Sequence, residues 1–151
     1  MFRLLMQPVM RFVKHLAVIA LVLGLGAGMA TAEVVAVVSA QSPVTTLSRN
    51  QVMDIFLGKC NHFPNGEQAI PIDQAEGSAL RNEFYLKFSA KSAAQLKAYW
   101  SKIIFTGRGQ PPKEISGSIE VKKFIAGHPH AIGYIDQSDL DDNVKALTIL
   151  H

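Results

Sequence analysis

A basic start followed by a long apolar run sets how much of this chain is left to fold. Arg3, Arg11 and Lys14 stand ahead of a charge-free stretch from Leu16 to Ala32, and no acidic residue precedes Glu33. Small residues close the run, and Ala30-Thr31-Ala32 fits an A-x-A cleavage pattern. That order of charge, apolar segment and small residues reads as a secretory signal peptide. The stretch is just under the roughly 18 residues that suggest a membrane span. The expectation is a leader over residues 1–32, a folded domain over residues 33–151 and an exported, periplasmic protein. No cysteine stands directly after the apolar run, so a lipid anchor is disfavoured.

Removing the leader changes the charge. The chain has 15 Lys+Arg and 12 Asp+Glu, for a formal net charge of +3. Three of the basic residues and none of the acidic ones lie in the leader, so the remaining domain is formally neutral. Nucleic-acid binding, which calls for a basic patch within the domain, is not expected. Length indicates one domain with a core of its own. The single cysteine, Cys60, excludes a disulfide within the chain; it reads as a small, partly buried apolar residue.

Along the domain, strand and helix patterns alternate. The Val-rich run Glu33–Ala40 reads as a buried strand. After a polar turn from Gln41 to Leu47, Ser48 and Gln51 form a capping box. The helix they start presents Val52, Ile55 and Phe56 and stops at Leu57-Gly58, with Gly58 at the left-handed end position. Residues 59–68 read as a loop and Ala69–Asp73 as a short strand. A second helix follows, capped by Ser78, with Leu80, Phe84, Tyr85 and Phe88 at helical spacing. A third runs from Ala93 to Ile104, its Tyr99 and Trp100 assigned to the core. Phe105–Pro112 is a Gly/Pro-rich loop, Ser118–Gly127 a fourth helix and Ala131–Ile135 a strand in which Gly133 allows close backbone approach. Asp136–Asn143 reads as an acidic loop and Val144–Leu150 as a final strand. The class is α/β, with a small, mostly parallel or mixed sheet flanked by helices.

Chemistry has few places to reside. Gly77-Ser78 turns a strand into a helix, so free backbone N–H groups and a hydroxyl converge at a point of positive partial charge. Such a start suits a bound oxyanion; the plainer reading is that Ser78 caps its own helix. Arg81, in the first turn, is placed either to close over that anion or to lie in solvent. Gly107 and Arg108 put a guanidinium in a flexible loop, where it offers a two-pronged anion contact or is simply solvated. His128 and His130 form an H-x-H pair without a third ligand, which favours a turn over a metal site. Asp73 and Glu76 are a carboxylate pair without a companion nucleophile. With no G-x-S-x-G, H-E-x-x-H, P-loop or C-x-x-C, the chain reads as non-enzymatic, with no cofactor.

The segments LSRNQVMDIFLGK (from Leu47), AIPIDQAEGSALRNEFY (from Ala69) and AIGYID (from Ala131) together resemble the phosphate-binding proteins of bacterial ABC-type uptake systems. The loop FTGRGQPP looks like that of short, single-domain members. The resemblance implies a type II periplasmic-binding-protein-like fold cut to a single lobe. It also implies a phosphate-gripping Gly-Ser-Gly-Thr helix start, of which Gly77 and Ser78 carry over. Asp73-Gln74 stand where the family has an Arg shortly before that turn, Glu76 stands for an Asp, and Ala79-Leu80 replace Gly-Thr. A second lobe to close over the ligand is missing, so an enclosed site would need a homodimer. The expectations are a periplasmic solute-binding-like domain for a small oxyanion, with a permease or a second copy as partner and no membrane contact after leader cleavage. The alternative is an interaction module that keeps the fold without the ligand.

Overall fold

The computed structural model describes residues 32–151. The leader reading lies outside them except for Ala32, and no helix among the described residues is long and apolar enough to cross a membrane. The elements run β1 (Val34–Ser39), β2 (Thr46–Ser48), α1 (Arg49–Phe56), β3 (Ile70–Asp73), α2 (Ala79–Ser89), α3 (Ala93–Phe105), β4 (Lys113–Glu114), α4 (Ser118–Ala126), β5 (Ala131–Asp136), β6 (Val144–Ala146) and β7 (Thr148–Leu150). A short 3-10 turn, Gln137–Asp139, follows β5.

Five strands form a mixed sheet in the order β4-β3-β5-β1-β6. β3 is parallel to β4 and β5, whereas β1 is antiparallel to both its neighbours, β5 and β6. β1 is apolar at every position up to Ser39 because both faces are covered. Val34, Ala36 and Val38 face one core, shared with Val52, Ile55 and Phe56 of α1, Phe84 of α2 and Leu96 of α3. Val37 faces a second core with Ile72 of β3, Val121 and Ile125 of α4, and Ile135 of β5. Successive side chains on a strand point to opposite faces, so this split follows from the period of two.

The caps stand where the residues call for them. Ser48 and Gln51 complete a capping box, and Ser92 and Gln95 form a second at the start of α3. Gly58 takes φ +73, which turns the chain so that the N–H groups of Lys59 and Cys60 both donate to the Asp54 carbonyl, at 2.8 and 3.0 Å. A Cβ on Gly133 would lie 3.0 Å from Val121 Cγ1 and 3.2 Å from Ile125 Cδ1, so glycine is what lets α4 settle onto the middle of β5.

Three details differ from the pattern reading. The final strand is two strands: β6 ends on the main sheet at Ala146, and beyond Leu147 the chain crosses to pair β7 in parallel with β2. The polar turn after β1 therefore contains the start of β2, whose three residues are too few to produce a period. β4 is equally short and is set by its pairing beside Ile72 and Asp73 rather than by propensity.

Candidate functional site

β3 ends on Ile72-Asp73, and a tight turn delivers Ser78 to the start of α2. Gly77 holds φ +87 in that turn, a conformation that favours glycine. Ser78 Oγ accepts the Arg81 backbone N–H at 3.4 Å and so caps its own helix. Ser78, Ala79 and Leu80 line an open depression of about 460 Å³. Ser116, Gly117 and Ser118, at the start of α4, line it too. The α4 start has no side-chain cap. Two helix starts thus present backbone N–H groups to one depression, and their dipoles favour an acceptor or an anion. Glu120, Asp136 and Asp139 stand on the same lining and oppose an anion, whereas no Lys or Arg lines it.

Arg81 turns inward instead. Its Nε–H lies 3.3 Å from Asp73 Oδ1, and its side chain is 10% exposed against 2% for Asp73. Tyr85 donates to Asp73 Oδ2 at 2.7 Å, Tyr134 donates to Oδ1, and the Gln74 backbone N–H reaches Oδ1 at 2.8 Å. The Gln74 side chain donates to the Tyr134 carbonyl at 2.9 Å. Asp73 therefore organises a buried polar cluster joining β3, α2 and β5. Burial works against the Arg81 charge, but the Asp73 carboxylate and the two phenols outweigh it and leave the guanidinium more basic than usual. Burial, and then the neighbouring Asp73 charge, push both Tyr85 and Tyr134 far above the ordinary phenol range. Tyr99, raised by burial and by Asp54, moves the same way.

These directions set a pH dependence. The folded state holds its phenolic protons to higher pH than the unfolded chain does. Their contribution to stability is whole below the ordinary value of about 10 and drains away as pH rises above it. All three tyrosines of the sequence are affected. The expected result in an ultraviolet titration is that at most one of the three phenols, Tyr99, ionises while the fold is intact, with Tyr85 and Tyr134 ionising only as the circular dichroism of the fold is lost. Reversible ionisation of two or more phenols in the folded protein near pH 10 would contradict the cluster.

The remaining sequence candidates are dispersed. Gly107 has φ +68 and Arg108 is exposed in the turn after α3, where its backbone N–H bonds the Ile103 carbonyl at 3.0 Å. Neither residue lines the depression at Ser78. His128 stacks on Phe124 with centroids 3.9 Å apart, and His130 lies 3.9 Å from Glu67, so the H-x-H pair is divided between separate contacts. Cys60 is half-buried beside His62. No group of three metal-ligating side chains occurs among the described residues. Glu76 is exposed and faces Lys97 at 3.6 Å, far in character from the buried Asp73 with which it was paired in the sequence. The helical spacing counts Tyr85 among the apolar positions and leaves Tyr134 unremarked in its strand; a Tyr rather than a Phe at two positions of one core, and an apolar strand ending on Asp, are the signals of a shared polar cluster.

The fold is that of phosphate ABC transporter substrate-binding proteins over about half of their length. One similar structure, from Clostridium perfringens, is assigned as such a protein and was solved with bound phosphate; it is 24% identical, with a TM-score of 0.61 over 78% of this chain and 45% of that one. An ABC-type phosphate transport receptor from Vibrio cholerae is 18% identical, with a TM-score of 0.61 over 78% of this chain and 46% of that one. PstS from Borrelia burgdorferi is 15% identical, with a TM-score of 0.55 over 78% and 47%. No protein-family model and no curated protein sequence matches the chain.

Proposed function

We propose that the chain is an exported, periplasmic solute-binding domain of one lobe, with a leader over residues 1–32 and a weak site for a small oxyanion between the starts of α2 and α4. The observation that carries this reading is the convergence of two helix starts, Ser78-Ala79-Leu80 and Ser116-Gly117-Ser118, on one depression. The bound phosphate of the Clostridium perfringens structure supports the ligand class. Weakness follows from the lining: Arg81 is committed to Asp73, Arg108 lies elsewhere, and three carboxylates face the space. An open, one-sided site also lacks the enclosing contacts that make small-ligand binding tight.

Thermal melts of the purified protein in phosphate, sulfate and chloride test this. At a Kd near 1 mM, about 10 mM phosphate adds about 1.4 kcal/mol of stability, a rise of about 5 °C for a domain of this size. Glu120→Gln combined with Asp139→Asn should tighten phosphate binding by about tenfold by removing repulsion, which roughly doubles the increment. No increment with either protein would sink the oxyanion site, and nanomolar affinity in the monomer would sink the argument for a weak one.

A second reading, a protein-contact module working with a permease or a second copy, is favoured by one observation. Phe105 is 92% exposed at the end of α3, beside Ile104 at 49%. If this tip carries a contact, Phe105→Ser abolishes any concentration-dependent mass increase in light scattering; a monomer at every concentration would remove the homodimer.

A further inference from the structure

The end of α3 and the turn beyond it differ from the rest of the surface in both polarity and charge. Of the 13 residues of α3 only Leu96 and Trp100 are buried, so the helix lies on the outside of the domain. Ile104 and Phe105 close it, and every residue from Ile104 to Pro111 is exposed. Phe105 is 92% exposed, against 56% for Leu150, the next most exposed large apolar residue described. The tip is held in place: with Gly107 at φ +68, its N–H donates to the Ile104 carbonyl at 3.1 Å and the Arg108 N–H to that of Ile103 at 3.0 Å. No acidic residue occurs from Phe84 to Lys113, a stretch that carries six of the domain's twelve Lys and Arg residues. Lys102 precedes Phe105 by three residues, next to it on the helix surface, and Arg108 follows it by three. Neither cation has a carboxylate within 4.0 Å among the described residues. Glu76 and Glu114 line the hollow beside Ile104, but Glu76 is paired with Lys97 at 3.6 Å, so Glu114 is the charge left to oppose them.

We infer that this tip seats on an anionic lipid surface, with Ile104 and Phe105 entering the boundary between headgroups and acyl chains and Lys102 and Arg108 meeting lipid phosphates. An aromatic and an aliphatic side chain rimmed by Lys and Arg are the groups that settle in a membrane interface, and an anionic leaflet attracts the cations. The size of the patch selects a bilayer over a protein. Two apolar side chains fall far short of the roughly 800 Å² per partner of a specific protein interface, whereas shallow insertion needs only the side chains that enter. A second copy meeting this tip about a two-fold axis would set Lys102 and Arg108 against their own copies. The leader, whose charges are all basic, meets the same repulsion. Formal neutrality of the domain conceals the patch because the balancing carboxylates lie elsewhere in the chain, four of them from Asp136 to Asp142. The inference departs from the expectation of no membrane contact after leader cleavage, and it does not rest on the oxyanion site.

Residues 32–151 hold both cores, so the domain can be tested without the leader, whose own apolar run would bind lipid. Vesicles of equimolar phosphatidylglycerol and phosphatidylcholine should sediment the domain, and vesicles of phosphatidylcholine alone should not. Phe105→Ser should weaken binding by about tenfold, the effect of one large apolar side chain withheld from an apolar phase. Lys102→Gln combined with Arg108→Gln should weaken it by about 25-fold, about fivefold for each charge lost near the surface. Raising the ionic strength from about 0.1 M to about 1 M should release the parent. All three positions are exposed, so the melting temperatures should stay in place. The proposal is overturned if the mixed vesicles leave the domain in solution, if phosphatidylcholine alone sediments as much of it, or if Phe105→Ser binds as well as the parent. Phosphate-dependent melting and light scattering without lipid are separate readouts, so failure here is told apart from failure of the oxyanion site or of the homodimer.

Discussion

Asp73→Ala is expected to cost about 3–5 kcal/mol, because it strands a buried guanidinium without its counter-charge. The same change removes the acceptor shared by Tyr85, Tyr134 and the Gln74 backbone. The reverse truncation should be milder. In Arg81→Met the Asp73 carboxylate keeps those three donors, and the long apolar stem of Arg81 is replaced by one of similar length; a loss of about 1–2 kcal/mol is expected, the scale of a single charged hydrogen bond. Urea unfolding would measure both, as a drop in midpoint at unchanged slope. Equal losses would mean that the ion pair, and not the carboxylate's set of donors, holds the cluster together. With total stabilities of about 5–15 kcal/mol usual for domains, Asp73→Ala risks leaving little folded protein, and Arg81→Met is the variant that keeps the comparison measurable.

The second large effect lies next to that cluster. Phe84 is fully buried and stacks on Tyr134 with centroids 4.0 Å apart and planes 8° from parallel. It meets Phe56 edge-on at 4.8 Å and Tyr85 edge-on at 5.2 Å, and lies tilted against Phe88 at 4.8 Å. Phe84→Ala should cost about 3–5 kcal/mol through lost transfer energy and an unfilled cavity. Phe84→Leu should recover a good part of it. Leu86→Ala, two residues on and 54% exposed, should stay within about 0.5 kcal/mol. A small effect at Phe84 would mean that α2 can collapse onto β5 without the stack.

Local signals were legible where one residue's chemistry settles the matter. Ser48 with Gln51 fixes a helix start, Gly58 a helix end, and the Val run a strand covered on both faces. The α/β class, the mixed sheet and the close approach at Gly133 were readable on the same terms. What the sequence withheld are contacts made across distance. Arg81 is eight residues from Asp73, on another element, and nothing in the local pattern distinguishes a guanidinium turned inward from one in solvent. The helix starts of α2 and α4 are some forty residues apart, so their shared depression exists only once β3 and β5 pair. Trp100 was assigned to the core correctly, but periodicity says nothing about whether its indole N–H finds an acceptor. The resemblance pointed to Gly77 and Ser78; the carboxylates opposite them come from a separate stretch of chain.

The interior strand between β5 and β6 also sets a schedule. β1 emerges first, yet its register partners run from Ile132 to Asp136 on one side and from Val144 to Ala146 on the other. Until those residues leave the ribosome, β1 has no neighbour, and both cores lack their shared wall. Such widely separated pairings raise contact order and slow folding. At about 5–20 residues per second, synthesis keeps the first strand unpaired for several seconds. For a chain that crosses a membrane before it folds, as proposed above, that delay is useful: the topology itself keeps the polypeptide threadable until synthesis reaches its last 20 residues, from Ile132 on.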